Sequence, residues 1–213
     1  MVRSPCGTVR VVILFVSGGT TTVRKHRTCG ELIVPGAGNS PDALKLVPGM
    51  WAMDNGAYSG FDPAAFVTML ERFHGRRGCR FVTAPDVVGD AAETLQRWPF
   101  WSRLIRGVGF VPALVGQVGM TVADVPWREL GALFIGGHTE WKLGPQAQTL
   151  IAFAKSRGLW VHMGRVNSQK RIWEAARLGC DSFDGSKYSR WSDRWIPEGV
   201  ETAAATDAQA RLV

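Results

Sequence analysis

Short apolar runs alternate with polar, turn-rich stretches along the chain, and eight of them read as strands: 11–16, 32–34, 50–54, 80–84, 109–115, 132–136, 159–163 and 180–184. Several are almost continuously apolar, as parallel strands covered on both faces must be. Amphipathic stretches separate most of them. Asp62-Pro63 opens one helix, with Phe66, Met69, Leu70 and Phe73 on one face and Gly75 after the last turn. Asp90 with Glu93 three residues on has the form of a capping box, which predicts a helix to about residue 97 that Pro99 interrupts. Pro145 to Arg157 and Ser168 to Leu178 read as further helices, the second stopped by Gly179.

Strands alternating with helices predict an α/β fold, and eight strands with intervening helices predict a compact (β/α)8 barrel of the TIM type. Such barrels typically take about 250 residues. This chain has 213, so its early units must be abbreviated. An open doubly wound sheet is the alternative, but Ser17-Gly18-Gly19-Thr20 after the first strand offers no GxGxxG turn for a dinucleotide. A single domain over residues 1–200 is expected, with 201–213 as a final helix or a frayed tail.

Composition agrees with a globular domain, 46% hydrophobic and 20% charged. Charge adds something: 25 Lys and Arg against 18 Asp and Glu give +7, which favours a polyanionic partner. The basic residues are spread along the chain, so any basic surface has to be assembled by folding. The four cysteines lack CxxC spacing and read as reduced thiols. The run Val11–Val16 reads as a buried strand rather than a signal peptide, and no segment reaches the roughly 20 apolar residues of a membrane span. A cytoplasmic protein with no membrane contact is expected.

Candidate chemistry sits where strands end, because βα loops build the active sites of such folds. Asp54, in Trp51-Ala52-Met53-Asp54-Asn55-Gly56, and Asp184, in Asp181-Ser182-Phe183-Asp184-Gly185, are candidates for nucleophile and general acid/base. A plain tight turn is the other reading of Asp54-Asn55-Gly56. Strand alternation puts Asp184 on one face with Ser182 and turns Asp181 away. Asp86 follows another strand, whereas Asp90 is a helix cap. Gly136-Gly137 would let a planar ligand approach backbone amides, with Glu140 accepting from a base, or would be an ordinary turn. Met163-Gly164 would line a ring or fill the core. His162 alternates within a strand and reads as packed. His26 and Cys29 find no partners for a zinc site, so no metal is expected. The nine tryptophans either stack bases or, for the most part, pack the barrel.

The ordered set Asp54-Asn55-Gly56-Ala57-Tyr58, Ala84-Pro85-Asp86, Gly116-Gln117, Ile135-Gly136-Gly137, Met163-Gly164 and Asp181-Ser182-Phe183-Asp184 resembles the tRNA-guanine transglycosylase superfamily over roughly residues 50–190. Through Gly136-Gly137-His138-Thr139-Glu140-Trp141-Lys142-Leu143-Gly144 it is most similar to the DNA-directed branch, the deazapurine DNA modification transglycosylases of phages and bacterial modification islands. The resemblance implies a (β/α)8 barrel that exchanges guanine for a free 7-deazaguanine base without cutting the backbone. Asp184 would attack the anomeric carbon and Asp54 would act as general acid/base. Asp86, Gln117 and the Gly136-Gly137 backbone would read the base edge, Met163-Gly164 would line its flat face, and Glu140 would add to the pocket.

Two displacements through a carboxylate retain configuration and need no redox cofactor. The attacked nucleotide must be flipped or single-stranded. DNA is therefore the expected partner, with a protein that opens or presents the duplex as a candidate second one, in the cytoplasm of a bacterial host if the gene is phage-borne. Lys187, Arg190 and Arg194 either hold flanking phosphates or form a solvated surface. The sequence departs from the tRNA enzymes in lacking their CxCxxC-plus-His zinc motif, and Asn55, Ala57 and Tyr58 replace the Ser, Gly and Phe of their first catalytic motif. Zinc is not carried over. A tRNA or nucleoside transglycosylase, a hydrolytic glycosidase and a non-catalytic nucleic-acid-binding barrel remain the alternatives.

Overall fold

Eight parallel strands close on themselves in the order β1 to β8 in a computed structural model. It describes residues 12–17, 23, 25, 26, 28–42, 44, 50–190 and 192–210. Positions Cys6, Val11, Gly18, Gly19, Thr20, Arg24, Arg27 and Trp191, together with 211–213, lie outside the described residues. The strands are β1 Ile13–Ser17, β2 Gly30–Ile33, β3 Trp51–Met53, β4 Cys79–Thr83, β5 Pro112–Gly116, β6 Ala132–Ile135, β7 Trp160–Met163 and β8 Ser182–Asp184. Pairing of Phe15 with Asp184 across β1 and β8 closes the barrel.

Period-two alternation sorts each strand into two layers. Phe15, Leu32, Ala52, Phe81, Ala113, Val115, Ala132 and Phe134 point inward and fill the barrel. Their neighbours Leu14, Val16, Ile33, Met53, Leu114, Ile135, Met163 and Phe183 point outward, into a larger apolar layer under the helices.

The helices are α1 Pro63–Phe73, α2 Ala91–Gly107, α3 Thr139–Leu143, α4 Pro145–Ser156, α5 Gln169–Arg177, α6 Ser186–Arg190 and α7 Ser192–Ala210. Asp62 caps α1 by accepting from the amides of Ala64 and Ala65, and Phe66, Met69, Leu70 and Phe73 are its buried face. Ser168 caps α5 through the Arg171 amide. One expectation fails in α2, which runs to Gly107 with Pro99 inside it. Thr94, Trp98, Ser102 and Ile105 form one buried stripe on both sides of the proline, so packing of that face outweighs the missing amide.

Residue 200 lies within α7, which packs on β1 and α5, and Ala203 is buried, so the stretch after 200 continues the outer layer. Between β5 and β6 there is no helix. Abbreviated connections are how the barrel closes within a short chain. Cys29, Cys79 and Cys180 are unpaired. No described helix is long and apolar enough to cross a membrane.

Candidate active site

The carboxyl ends of the strands surround a cavity of about 520 Å³. Asp54 reaches it from β3, Thr83 and Asp86 from β4, Gln117 from β5, Gly136 and Gly137 from β6, Gly164 from β7 and Asp184 from β8. Asp54 and Asp184, far apart in sequence, thus share one mouth. Asp181 does not enter it: its carboxylate pairs with Lys155 at 2.6 Å and accepts from the Val161 amide at 2.7 Å.

Asp184 is 9% exposed. Its Oδ1 lies 3.0 Å from His162 Nε2 and accepts from the Arg165 amide at 3.2 Å. Only Oδ1 is engaged in this way among the described residues; Oδ2 is left for the cavity. Gly164 makes room beside it, since a Cβ there would stand 2.6 Å from the Phe134 ring and 3.5 Å from Asp184 Oδ1.

Asp54 combines a turn role with a cavity role. Its Oδ1 accepts from the amides of Asn55 at 2.6 Å and Gly56 at 3.3 Å, and Gly56 takes a φ of 73° that favours glycine. Burial, and then the charges of Asp184 and Asp86, raise its carboxyl to about 7, against the pull of those two amides. It is therefore a group that gains and loses a proton near neutrality.

Asp86 is held by two amides: Asn55 Nδ2 donates to Oδ1 at 2.7 Å and Gln117 Nε2 to Oδ2 at 2.6 Å. Both amide orientations are set by backbone, because Asn55 Oδ1 accepts from Ala57 N and Gln117 Oε1 from Gly89 N. Burial raises the Asp86 pKa, and the two amides oppose it. Lys142 donates to the Gly164 carbonyl at 2.6 Å and is only 4% exposed. Burial lowers its ammonium to about 8, although the Asp184 charge pulls the other way. Arg165 takes a φ of 59°, and its guanidinium stacks 3.8 Å from the centre of the Tyr58 ring at the cavity rim.

Several expected residues lie elsewhere. Met163 packs in the outer layer, since His162 and Gly164 on either side of it are the inward positions of β7. Glu140 is exposed on α3 and does not line the cavity. Of the three basic candidates only Arg190 lines it. Lys187 pairs with Glu198 at 3.1 Å and lies over Trp195, and Arg194 stacks on the same ring. His138 caps α3 by accepting from the Trp141 amide. Asn55, Lys142, His162 and Arg165 are the site residues that sequence reasoning passed over. The inward alternation of Trp160, His162 and Gly164 was the available signal for one of them. Among the described residues there is no cluster of His, Cys, Asp or Glu that would hold a metal ion.

No family model matches the chain, and no curated protein matches it. Solved structures do. A mandelate oxidase variant with a C4a-hydroxy-FMN adduct aligns with a TM-score of 0.60 at 14% identity, covering 99% of this chain and 79% of its own. Two flavocytochrome b2 variants, one with sulfite bound, align with TM-scores of 0.55 and 0.54 at 14% and 16% identity. The likeness is one of fold. This chain covers 93% and 95% of its own length in those two alignments but spans only 63% and 65% of the flavocytochrome chains. It belongs with the (β/α)8 barrels, and a flavin is not carried over at such identities.

Proposed function

We propose that the protein is a DNA guanine transglycosylase, exchanging guanine for a free 7-deazaguanine base by double displacement. The observation that carries the reading is the pairing of two carboxyl groups in one cavity. Asp184 keeps one oxygen engaged and one free, and Asp54 is held protonatable near neutrality, partly by the charge of Asp184.

In the first step Asp184 Oδ2 attacks the anomeric carbon. The C1′–N9 bond breaks, and Asp54 gives its proton to the departing guanine. In the second, Asp54 takes the N9 proton of the entering 7-deazaguanine, N9 attacks C1′, and the ester bond to Asp184 breaks. Two inversions give net retention. Asp86 and Gln117 suit the reading of a base edge: the Asp86 carboxylate accepts, and Gln117 Nε2 keeps a second N–H beyond the one Asp86 takes. The cavity volume is within the roughly 300–1,000 Å³ of ordinary ligand sites. The excess of basic residues, with Arg165 and Arg190 at the cavity, supports a polyanionic substrate.

The test is incubation with guanine-containing DNA, single- and double-stranded, and a panel of 7-deazaguanines, followed by nucleoside mass spectrometry. Incorporation lost in Asp184→Asn and Asp54→Asn is expected. Incorporation into tRNA or nucleosides but not DNA would replace the substrate, release of guanine without replacement would make the enzyme a hydrolase, and exchange surviving Asp184→Asn would end the nucleophile assignment.

A further inference from the structure

Beneath Asp184 a string of polar groups descends through a barrel interior packed with apolar side chains, three phenylalanine rings among them. Trp160 Nε1 donates to Ser182 Oγ at 2.8 Å, Ser182 Oγ lies 2.8 Å from His162 Nδ1, and His162 Nε2 lies 3.0 Å from Asp184 Oδ1. His162 and Ser182 are fully buried and face each other in register on β7 and β8. The rings of Phe134, Phe81 and Phe15 stand 4.7, 5.3 and 5.8 Å from the imidazole centre. Turning the imidazole over would therefore put ring carbons against both polar partners.

The direction of the string follows from its two ends. An indole nitrogen only donates, so Ser182 Oγ accepts there and has its own hydrogen to give. Asp184 as the attacking carboxylate only accepts, so the imidazole proton sits on Nε2, aimed at it, and the bare Nδ1 of the neutral ring takes the Ser182 hydrogen. Every N–H and O–H in the string then has an acceptor.

We infer that Trp160, Ser182 and His162 are positioning residues that fix the imidazole as its Nε2–H tautomer and so hold Asp184 by Oδ1 with Oδ2 presented to the cavity. This deepens the proposed function and rests on it for the role of Asp184. In the covalent intermediate the bond is to Oδ2, so Oδ1 becomes the ester carbonyl oxygen and keeps its two N–H donors, from His162 and from the Arg165 backbone. As that ester breaks in the second displacement, negative charge returns to the carboxylate and the same donors receive it.

Two measurements test the string, one of which needs no substrate. Long-range ¹H–¹⁵N correlation spectra of the labelled protein read the His162 tautomer directly. Protonated Nε2 with bare Nδ1 is expected, with loss of that single tautomer in Ser182→Ala and Trp160→Phe. A proton on Nδ1, or on both nitrogens, overturns the assignment, whether or not base exchange is observed.

The second measurement uses His162→Phe, which matches the surrounding rings but cannot donate, beside His162→Gln, whose amide can reach Asp184. His162→Phe should lower kcat by about 100-fold with little change in KM, the usual consequence of losing one preorganised donor. His162→Gln should restore most of it. Equal activity in both variants and wild type would remove the positioning role. If the wild type exchanges no base with any substrate, the proposed function fails and the spectra alone judge the string. If His162→Phe does not fold, Ser182→Ala supplies the kinetic comparison, and an unchanged kcat there counts against the inference.

Discussion

At Asp54 the fold maintains a carboxyl group whose charged form it disfavours, with a pKa raised from 3.8 to about 7 by burial and by Asp184. The folded state keeps a proton that the unfolded chain sheds near pH 4, so stability on this account is full below about pH 4 and is lost as pH rises through about 7. Asp54→Asn keeps an acceptor for the Asn55 and Gly56 amides and removes the buried charge. It should therefore raise stability by a few kcal/mol at pH 8 and by almost nothing at pH 4, which urea denaturation at the two pH values would check. Stability gained with activity lost is the usual signature of a site held away from its stability optimum. In the wild type, donation to the leaving base should weaken as pH passes about 7, since less Asp54 then carries a proton.

Two elements carry local conflicts that make them testable. Pro99 is exposed within α2, so Pro99→Ala loses no packing and regains a helical amide. A rise in stability of about 1–3 kcal/mol is expected, read as a higher Tm. At the end of β7 the strand backbone passes so close to Phe134 that only glycine fits at position 164. Gly164→Ala should displace that ring or the strand end, together with the Asp184 carboxylate beside it. Loss of stability by about 1–3 kcal/mol and a fall in kcat larger than any change in KM are the expected results in melts and steady-state assays. The α2 proline also shows what a linear reading misses: a stop signal yields where four buried positions keep the helix on the barrel.

Over the whole molecule, the net charge of +7 reaches the cavity through few residues. Arg190 lines it, while Lys187 and Arg194 are engaged with Glu198 and Trp195. On the proposed function, Arg190→Ala should weaken DNA binding and reduce the salt slope by about one, whereas Arg194→Ala should change the slope little; titrations at several salt concentrations would separate them. The barrel itself was readable, because eight buried parallel strands leave eight apolar runs and capped helices leave Asp-Pro, Asp-x-x-Glu and Ser signatures. Asp54, Asp86, Gly136, Gly164 and Asp184 were readable as cavity positions for a related reason, since each follows the end of an apolar strand, whereas Gln117 came from the family resemblance. Met163 was misplaced by one step of a two-residue period, and Glu140 by a helix that turns it to solvent. The chain alone determined which segments form strands, where the capped helices begin, and several of the residues that stand at the mouth, because those are local properties of pattern and turn chemistry. Only the closed barrel decided that Asp184 lifts Asp54, that Asn55 and Gln117 hold Asp86, and that a buried histidine meets Asp184, because charge coupling, burial and hydrogen bonding depend on distances between strands far apart in sequence.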